Sequence, residues 1–398
     1  MKLSCRASLI KPSATLAITA KAKKLKSEGK DVVGFGAGEP DFDTPDYIKK
    51  AVKDALDKGQ TKYTPVSGID ELKTAIAEKF AADYGVKYEN SEIMVSCGGK
   101  HSLYNIFTAM LNEGDEIIVP SPYWVSYTEI IKLSGGVPVI ADTSKNGFKF
   151  NLEIFKNRIT AKTRGVIINS PSNPTGVMMD EKDIIEVADF AKKQGIYIIT
   201  DDIYEKIIFD GKKFFNVLIA DKSMKEYTIA VNAVSKTYSM TGFRIGYTAG
   251  PGDLIAAMNN IQSQSTSNPT TFAQYGALAA LKGGYEFTDM MRGEFQKRRD
   301  YMFDFFEKNI KSMTPVKPDG AFYLFVDISK VFGKLKNSNG ETINSSSEYC
   351  DYLLDKYLVA AVPGVEFGND NFIRLSFATG LDVIIKGLNR IKESAASI

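Results

Sequence analysis

A lysine and an arginine that lie close together in the chain are the first residues able to do chemistry. Lys236 follows an apolar run and lies in a Ser/Thr-rich stretch, and Arg244 lies eight residues further on. A lysine amine forms imines with aldehydes when burial or nearby cations disfavour its charged form. The planar guanidinium of an arginine can bind an anion. A lysine in a Ser-rich turn is more often a solvated side chain, so this pair predicts a site only if other features converge on it.

Three further polar clusters follow strand-like runs. Gly98–Lys100 stands between an apolar run and a helical pattern, where free amides at a helix N-terminus form a pocket suited to phosphate. By itself this glycine pair could equally be a tight turn, and the GxxxxGK[ST] phosphate loop is absent around it. Asn169–Gly176 (NSPSNPTG) and Asp201–Tyr204 (DDIY) follow two other runs. Ligands of parallel α/β sheets lie at the carboxyl ends of the strands, so these clusters and Lys236 are predicted to meet there.

The elements that must position these residues alternate between strand and helix. Strand runs with little internal polar alternation, separated by helices, predict an α/β fold with a mostly parallel sheet covered on both faces. The predicted strands are 91–96, 116–119, 137–140, 165–169, 196–200, 228–231 and 245–249. The predicted helices between them are 100–111, 125–133 and 181–192.

The pattern changes after about residue 290. A long charged helix over 290–308 is followed by strands at 321–327 and 372–377, by a helix at 348–356 and by a closing helix from Leu381. This order predicts a second, smaller α+β domain. The polar stretch 334–347 has too few apolar residues to pack and is predicted to be a surface loop.

Composition excludes several classes of function. With 50 basic and 48 acidic residues the net charge is +2, so nucleic acid is a poor default partner. The only histidine is His101, which excludes any site that needs two. Three separated cysteines, Cys5, Cys97 and Cys350, indicate free thiols in a reducing compartment, and no apolar run reaches the length of a membrane span. We expect a cytoplasmic protein without a metal, whose chemistry depends on lysine, tyrosine, carboxylates or a cofactor.

The N-terminal segment has two interpretations. Its first 27 residues hold seven Lys or Arg and no acid, as in a transit peptide. A basic, amphipathic helix that belongs to the folded protein is the preferred interpretation.

Taken in order along the chain, these motifs resemble those of fold-type I pyridoxal-phosphate enzymes. The resemblance is to the class I aminotransferases, in the prokaryotic-type aspartate aminotransferase subgroup. It covers essentially the whole chain from about residue 11, which leaves few residues for a transit peptide. It is carried by KPSAT (11–15), GAGEPDFDTP (36–45), TKYTPVSGI (61–69), CGGK (97–100), SPYWVSY (121–127), NSPSNPTG (169–176), DDIYE (201–205), SKTYSMTGFRIGY (235–247), SQST (263–266), GAFY (320–323), VPG (362–364) and IRLSFAT (373–379).

The resemblance implies pyridoxal 5'-phosphate as the cofactor and three catalytic residues. Lys236 holds the cofactor as an imine and then serves as the base at the substrate α-carbon. Asp201 pairs with the pyridine nitrogen and keeps it protonated. Tyr204, together with Asn173, hydrogen-bonds the phenolic oxygen of the cofactor.

The resemblance also implies the remaining ligands of cofactor and substrate. Trp124 stacks on the cofactor ring, and the phosphate is held by Arg244, Ser235 and the amides of Gly99 and Lys100. Arg374 clamps the substrate α-carboxylate beside the Gly38 amide, and Trp124 and Asn173 also line the substrate's side of the site. Lys100 recognises a distal carboxylate, unless it points to solvent as a helix-start lysine. Ala233 stands where many relatives carry Gly or Ser, so a hydroxyl ligand of the phosphate is missing unless Ser235 replaces it.

The same resemblance implies the assembly and the domains. Tyr63 reaches the phosphate of a neighbouring subunit, so the active unit is a homodimer. Residues 45–289 form the large cofactor-binding domain and 290–398 the small domain, with residues 1–44 packing against the small one.

Four functions are compatible with these expectations. The preferred one is an aspartate aminotransferase that exchanges the amino group between aspartate and 2-oxoglutarate. The second is an aromatic or prephenate aminotransferase, the third a lyase or cyclising synthase on the same fold, and the fourth a non-enzymatic pyridoxal-phosphate-binding module. The last is disfavoured because no DNA-binding extension precedes residue 11 and no basic surplus exists.

Overall fold

The structure is a computed structural model that describes residues 4–10 and 14–396 of the 398-residue chain. Of the quoted motifs, only residues 11–13 of KPSAT lie outside the described residues. The α-helices are α1 (Cys5–Ser8), α2 (Ala14–Ser27), α3 (Asp46–Asp57), α4 (Asp70–Tyr84), α5 (Gly99–Met110), α6 (Ser126–Leu133), α7 (Leu152–Lys156), α8 (Glu181–Gln194), α9 (Val217–Ala220), α10 (Val234–Thr237), α11 (Gly252–Ser265), α12 (Thr271–Lys282), α13 (Glu286–Asn309), α14 (Ser346–Tyr357) and α15 (Leu381–Ser394).

The strands fall into three sheets. They are β1 (Val33–Gly34), β2 (Ile93–Ser96), β3 (Glu116–Ser121), β4 (Val137–Asp142), β5 (Thr163–Ile168), β6 (Tyr197–Asp201), β7 (Thr228–Ala233), β8 (Gly246–Ala249), β9 (Thr314–Val316), β10 (Tyr323–Asp327), β11 (Val359–Ala360), β12 (Val362–Pro363) and β13 (Phe372–Ser376).

The largest sheet has seven strands in the order β2-β8-β7-β6-β5-β3-β4. All neighbours pair in parallel except β8, which is antiparallel to both β2 and β7. The predicted mostly parallel sheet flanked by helices is therefore confirmed. Residues 234–245, which include α10, connect β7 to its antiparallel neighbour β8.

Both faces of this sheet are buried. Along β3, Ile117 and Val119 pack into a core that includes Leu103 of α5, while Ile118 between them packs on the other face near Val187 of α8. Because both faces are covered, the strands carry nearly continuous apolar residues. This explains why apolar runs in the sequence indicated a parallel sheet.

The chain after α13 forms a four-stranded antiparallel sheet in the order β12-β13-β10-β9. Its core joins Phe295 of α13, Leu324 of β10 and Leu388 of α15. This antiparallel sheet packed against helices agrees with the predicted α+β arrangement of the C-terminal part. The polar stretch is mostly exposed, although Ile343 within it is completely buried in the same core.

The N-terminal segment lies against the C-terminal part of the chain. Strand β1 pairs in parallel with β11, and Nζ of Lys21 lies 3.2 Å from a carboxylate oxygen of Asp351. Helix α13 runs without a break through the expected boundary at residues 289 and 290. The three-part domain division stays a prediction.

Within the residues that the structure describes, no helix is both long and apolar enough to cross a membrane.

Candidate active site

A cavity of about 350 Å³ opens at the carboxyl edge of the seven-stranded sheet. Every side chain and amide predicted for the site lines it, except Tyr63. The lining residues are Gly38, Gly99, Lys100, Trp124, Val125, Ser126, Tyr127, Asn169, Asn173, Asp201, Ile203, Tyr204, Ser235, Lys236, Thr241, Arg244, Tyr323 and Arg374.

The sheet topology brings these residues together. Asp201 is the last residue of β6, Asn169 directly follows β5, and Lys236 lies on the single helical turn α10 that follows β7. Gly99 begins α5, after β2, whose direction matches that of the parallel strands. Arg374 comes from the other sheet, in the middle of β13.

Lys236 lies in the floor of the cavity. Its Nζ donates a hydrogen bond of 2.5 Å to the backbone oxygen of Gly38. Burial lowers the pKa of the Lys236 amine to about 8, with repulsion from Arg244 and Arg374 acting in the same direction against attraction to Glu39 and Asp201. A substantial fraction of the amine is therefore neutral, and so nucleophilic, slightly above neutral pH.

Asp201 is buried and faces the cavity beside Tyr127. The Tyr127 hydroxyl donates a 2.6 Å hydrogen bond to Oδ2 of Asp201. Burial raises the pKa of the Asp201 carboxyl, while the bonds from Tyr127 and from the Ile203 amide, together with the positive Lys236, oppose that rise. A carboxylate enclosed in this way is suited to hold a cationic group through a charge-assisted hydrogen bond.

Tyr204 pairs with a second tyrosine that the sequence reasoning gave no role. The hydroxyl oxygens of Tyr204 and Tyr323 lie 3.0 Å apart, and both rings are buried. Burial raises the pKa of Tyr204 well above its usual range. Both phenols thus remain protonated at neutral pH and can donate hydrogen bonds.

Arg374 is only 2% exposed and is held by neutral acceptors. It donates to Oδ1 of Asn173 over 2.9 Å and to the backbone oxygen of Gly36 over 3.2 Å, and it lies 4.3 Å from the ring centre of Tyr323. Its Nε has no partner among the described residues. Its acidic neighbours within the described residues are the phenols of Tyr323 and Tyr204 and not a carboxylate, so this buried guanidinium is suited to an anionic ligand.

Arg244 also lines the cavity, and Gly98 packs directly against its guanidinium. Gly98 has φ +90, which favours glycine, and a Cβ on it would lie 2.5 Å from Nη2 of Arg244. The first amides of α5 follow directly, so free backbone N–H groups and a guanidinium stand side by side. This donor set fits a phosphate group.

Lys100 and Trp124 lie at the mouth of the cavity. Nζ of Lys100 is 5.0 Å from the ring centre of Trp124. Partial burial lowers the pKa of the Lys100 amine, and Arg244 repels its charge. His101, next to it, does not line the cavity; its Nδ1 accepts a hydrogen bond from the Cys97 amide, in keeping with a structural role.

Tyr63 is not part of this cavity. Its side chain is 89% exposed on the surface of the chain. The structure therefore does not bring it together with the other predicted residues within one subunit.

Sequence reasoning missed several residues that line the cavity, chiefly Tyr127 and Tyr323. Both stand inside motifs that carry the family resemblance, SPYWVSY and GAFY. Tyr127 lies three residues after Trp124, and the ring centres are 5.3 Å apart, so nearness in the sequence to a predicted site residue was the available signal. Ile203, Thr241, Val125 and Ser126 are neighbours of predicted residues and carry no signal of their own.

The fold agrees with what comparisons with known proteins find. Residues 30–387 match the family model described as "Aminotransferase class I and II", and the chain belongs to this family.

Close relatives and solved structures share this architecture. The chain is 47% identical to the probable aspartate/prephenate aminotransferase of Aquifex aeolicus, covering 100% of this chain and 99% of that protein. It is also 47% identical to the aspartate aminotransferase of Bacillus subtilis, covering 98% of each. The solved aspartate aminotransferase of Rhizobium meliloti is 40% identical with a TM-score of 0.94, covering 100% and 99%. That of Thermus thermophilus with maleate is 38% identical with a TM-score of 0.92, covering 99% and 100%.

Proposed function

We propose that the protein is an aspartate aminotransferase that depends on pyridoxal 5'-phosphate. One observation carries the proposal: a lysine amine of lowered pKa and a buried arginine without a carboxylate partner line the same cavity. The lysine suits an aldehyde, and the arginine suits the carboxylate of an amino acid. The names of the relatives support this substrate class.

The residues present fit the cofactor. Lys236 suits its aldehyde, Asp201 its pyridine nitrogen, and Arg244 with the Gly99 amide its phosphate. Trp124 offers a flat face for the ring. Pyridoxal phosphate, when bound, supplies an aldehyde for the amino group and an electron sink that stabilises negative charge at the substrate α-carbon.

The side chains that line the cavity would have distinct roles in the reaction. Arg374 would bind and orient the α-carboxylate of the substrate. The neutral Lys236 amine would serve as the general base that takes the proton from the substrate α-carbon. Asp201 would pair with the protonated pyridine nitrogen of the cofactor, and Tyr204 and Asn173 would donate to its phenolic oxygen. The reaction with 2-oxoglutarate runs these steps in reverse and completes a ping-pong cycle.

Lys100 is the residue we propose for recognition of the distal carboxylate of aspartate. It lies at the mouth of the cavity as a cation, against the face of Trp124. The relative solved with maleate, a four-carbon dicarboxylate, supports a site for two carboxylates. An aromatic or prephenate aminotransferase is the second candidate, because the Aquifex relative is named for both aspartate and prephenate.

We further propose that the active unit is a homodimer in the cytoplasm. The Tyr63 ring is 89% exposed and so is accessible to a second subunit, as the family resemblance implies. Cys97 and Cys350 are free thiols, which supports a reducing compartment.

Spectroscopy of the cofactor-loaded protein tests the reaction. Added aspartate should convert the aldehyde form of the cofactor to its amine form, and 2-oxoglutarate should reverse the change. Release of pyruvate or ammonia in place of this exchange would instead establish a lyase.

A substrate panel separates the two transaminase candidates. Turnover is compared with aspartate, phenylalanine and prephenate in the parent protein and in Lys100→Ala. If Lys100 binds a distal carboxylate, kcat/KM falls for aspartate and stays within about twofold for phenylalanine, because only the first loses an ion pair of about 1.5–3 kcal/mol. An equal loss for both substrates contradicts the assignment.

A further inference from the structure

A cluster of buried charged side chains lies directly behind the candidate active site, outside its cavity. Lys79 and Tyr84 of α4 meet Asp202 and Glu205 there. The side chains of Lys79 and Glu205 are only 7% and 1% exposed. None of these four lines the cavity, and the proposed reaction uses none of them.

Residues 201–205, at the end of β6, direct their side chains to two different sides. Asp201 and Tyr204, three residues apart, line the cavity, whereas Asp202 and Glu205, also three residues apart, point towards α4. The two pairs share one short stretch of backbone. Contacts made by Asp202 and Glu205 therefore restrain the backbone that carries Asp201 and Tyr204.

Glu205 connects three elements. Its Oε1 lies 2.5 Å from Nζ of Lys79 and accepts a 2.9 Å hydrogen bond from Nδ2 of Asn232, while its Oε2 accepts one from the Tyr84 hydroxyl. Asn232 belongs to β7, four residues before Lys236. A single carboxylate thus joins α4, the segment of Asp201 and the strand that leads to Lys236.

Asp202 reinforces the same connection. Its Oδ2 accepts hydrogen bonds from Asn216 (3.0 Å) and Thr200 (3.2 Å), and it lies 3.2 Å from the Tyr84 hydroxyl, whose single proton is directed to the nearer Glu205. Its backbone N–H donates to Val231 of β7 over 2.9 Å. The donors converge from both sides, so the segment has little freedom to rotate.

The charges are strongly coupled. Burial alone would lower the pKa of Lys79, but attraction to Glu205, with smaller contributions from Tyr247 and Asp83, raises it well above the usual range, so it stays an ammonium. Removing one partner of such a pair leaves an uncompensated buried charge, whereas the intact pair chiefly restricts geometry.

We propose that Lys79, Glu205 and Asn232 form a positioning network that fixes Asp201 relative to Lys236. The inference rests on the proposed function, because these two residues matter together only if both hold the same cofactor. The three are positioning residues, since they act through Asp201 and Lys236 and touch no ligand.

Lys79→Met and Glu205→Gln test the network, with Lys225→Met as the matched control. Lys225 forms a half-buried pair of 2.8 Å with Glu92, and neither residue lines the cavity. The first measurement is the pH midpoint of the visible absorption band of the pyridoxal-phosphate-loaded protein, which reports protonation at the Lys236 nitrogen. We expect both network variants to shift it by about 1 pH unit, which corresponds to a tenfold change in proton affinity, and Lys225→Met to leave it unchanged.

The second measurement needs no cofactor. Amide hydrogen exchange at residues 201–205 and 233–236 of the unloaded protein should be about tenfold faster in the network variants, because their local opening costs less free energy. Asn232→Ala provides a variant that leaves no buried charge unpaired, and it should accelerate exchange chiefly at 233–236. The double variant Lys79→Met/Glu205→Gln leaves no unpaired buried charge from this pair. Its thermal midpoint should therefore lie above those of the two single variants, whereas its absorption midpoint should stay shifted from that of the parent protein.

The outcomes are separable. Unchanged absorption midpoints and exchange rates in Lys79→Met, Glu205→Gln and Asn232→Ala would overturn the inference, even if the thermal midpoint fell. If the parent protein binds no pyridoxal phosphate, the proposed function fails, and hydrogen exchange alone still decides whether the network holds both segments.

Discussion

The hydroxyl of Tyr127 donates a 2.6 Å hydrogen bond to Oδ2 of Asp201, and both groups are buried. The bond lowers the pKa of a carboxyl that burial raises. Helix α6 therefore helps to keep Asp201 ionised at the end of β6. A charged Asp201 is what the pairing with a protonated pyridine nitrogen requires.

We predict that Tyr127→Phe lowers kcat with aspartate about tenfold, since a hydrogen bond to a charged group contributes about 1.5 kcal/mol. The pKa of Asp201 rises when the donor is lost, so the loss should be greater at the acidic end of the pH profile. Steady-state kinetics between pH 6 and 9 provide the measurement. Tyr349→Phe removes a buried tyrosine's bond to Ser394, far from the cavity, and should change stability but not the profile. Equal profiles in all three proteins would contradict the role of Tyr127.

The pKa of Lys236 leads to a prediction about reactivity. Since burial lowers this pKa to about 8, the neutral amine of the unloaded protein increases as the pH rises through 8, two and a half pH units below the usual 10.5. Trapping with a small aldehyde and borohydride, followed by mass spectrometry, should locate the adduct at Lys236 with a midpoint near pH 8. A midpoint near pH 10, or labelling no faster than at exposed lysines, contradicts the prediction.

The proposed function makes the same residue necessary for turnover. Lys236→Ala removes both the proposed covalent anchor of the cofactor and the proposed proton carrier, so we expect transamination to fall by at least about a thousandfold. Coupled assay of oxaloacetate measures this. Added methylamine, which can replace the missing amine in the cavity, should restore a small part of the rate. Full turnover in Lys236→Ala would refute the proposed function as a whole.

Arg374→Lys should show whether substrate binding depends on the planar donors of the guanidinium or only on its positive charge. Lysine keeps the positive charge but not the planar pair of donors, and it leaves Asn173 and Gly36 with fewer partners. We expect kcat/KM to fall about 10- to 100-fold for every amino acid tested, because all of them carry an α-carboxylate. Arg299→Lys alters another buried arginine, bound to Asp210, and should affect the thermal midpoint alone. A loss confined to aspartate would assign Arg374 to the distal carboxylate instead.

Gly98→Ala should impair cofactor binding. The added methyl meets the Arg244 guanidinium at 2.5 Å, and the residue's φ of +90 is strained for alanine. We expect the dissociation constant for pyridoxal phosphate to rise about 5- to 150-fold, which corresponds to a strain of about 1–3 kcal/mol. Fluorescence of Trp124, the only tryptophan, measures it. Gly59→Ala is the control. Gly59 also has a positive φ, +72, but no atom lies within 4 Å of an added Cβ, so this variant should leave cofactor binding unchanged.

Much of the fold could be predicted because the parallel sheet is buried on both faces. The apolar runs at 165–169 and 196–200, for example, correspond to β5 and β6. The direction of β8 could not be predicted, since strand direction depends on tertiary pairing and leaves no mark in a four-residue apolar run. The two-residue strands β1 and β11 are too short to give a periodic signal.

Some residues of the site could also be predicted from the sequence, and others could not. Residues at strand ends, such as Asp201 and Lys236, could be located because topology fixes that edge. Tyr323 could not, because its role depends on the other sheet placing its hydroxyl 3.0 Å from that of Tyr204. The network formed by Lys79, Glu205 and Asn232 could not be predicted either. A lysine on a helix is normally solvated, and Lys79 is buried only because of tertiary packing.

Gly36 and Gly38 accept hydrogen bonds from Arg374 and Lys236, respectively. A carboxylate that engages Arg374 and an aldehyde that consumes the Lys236 amine therefore compete with the same short stretch of backbone. If both ligands displace these hydrogen bonds, part of the interaction energy of each is offset by the bond that it replaces.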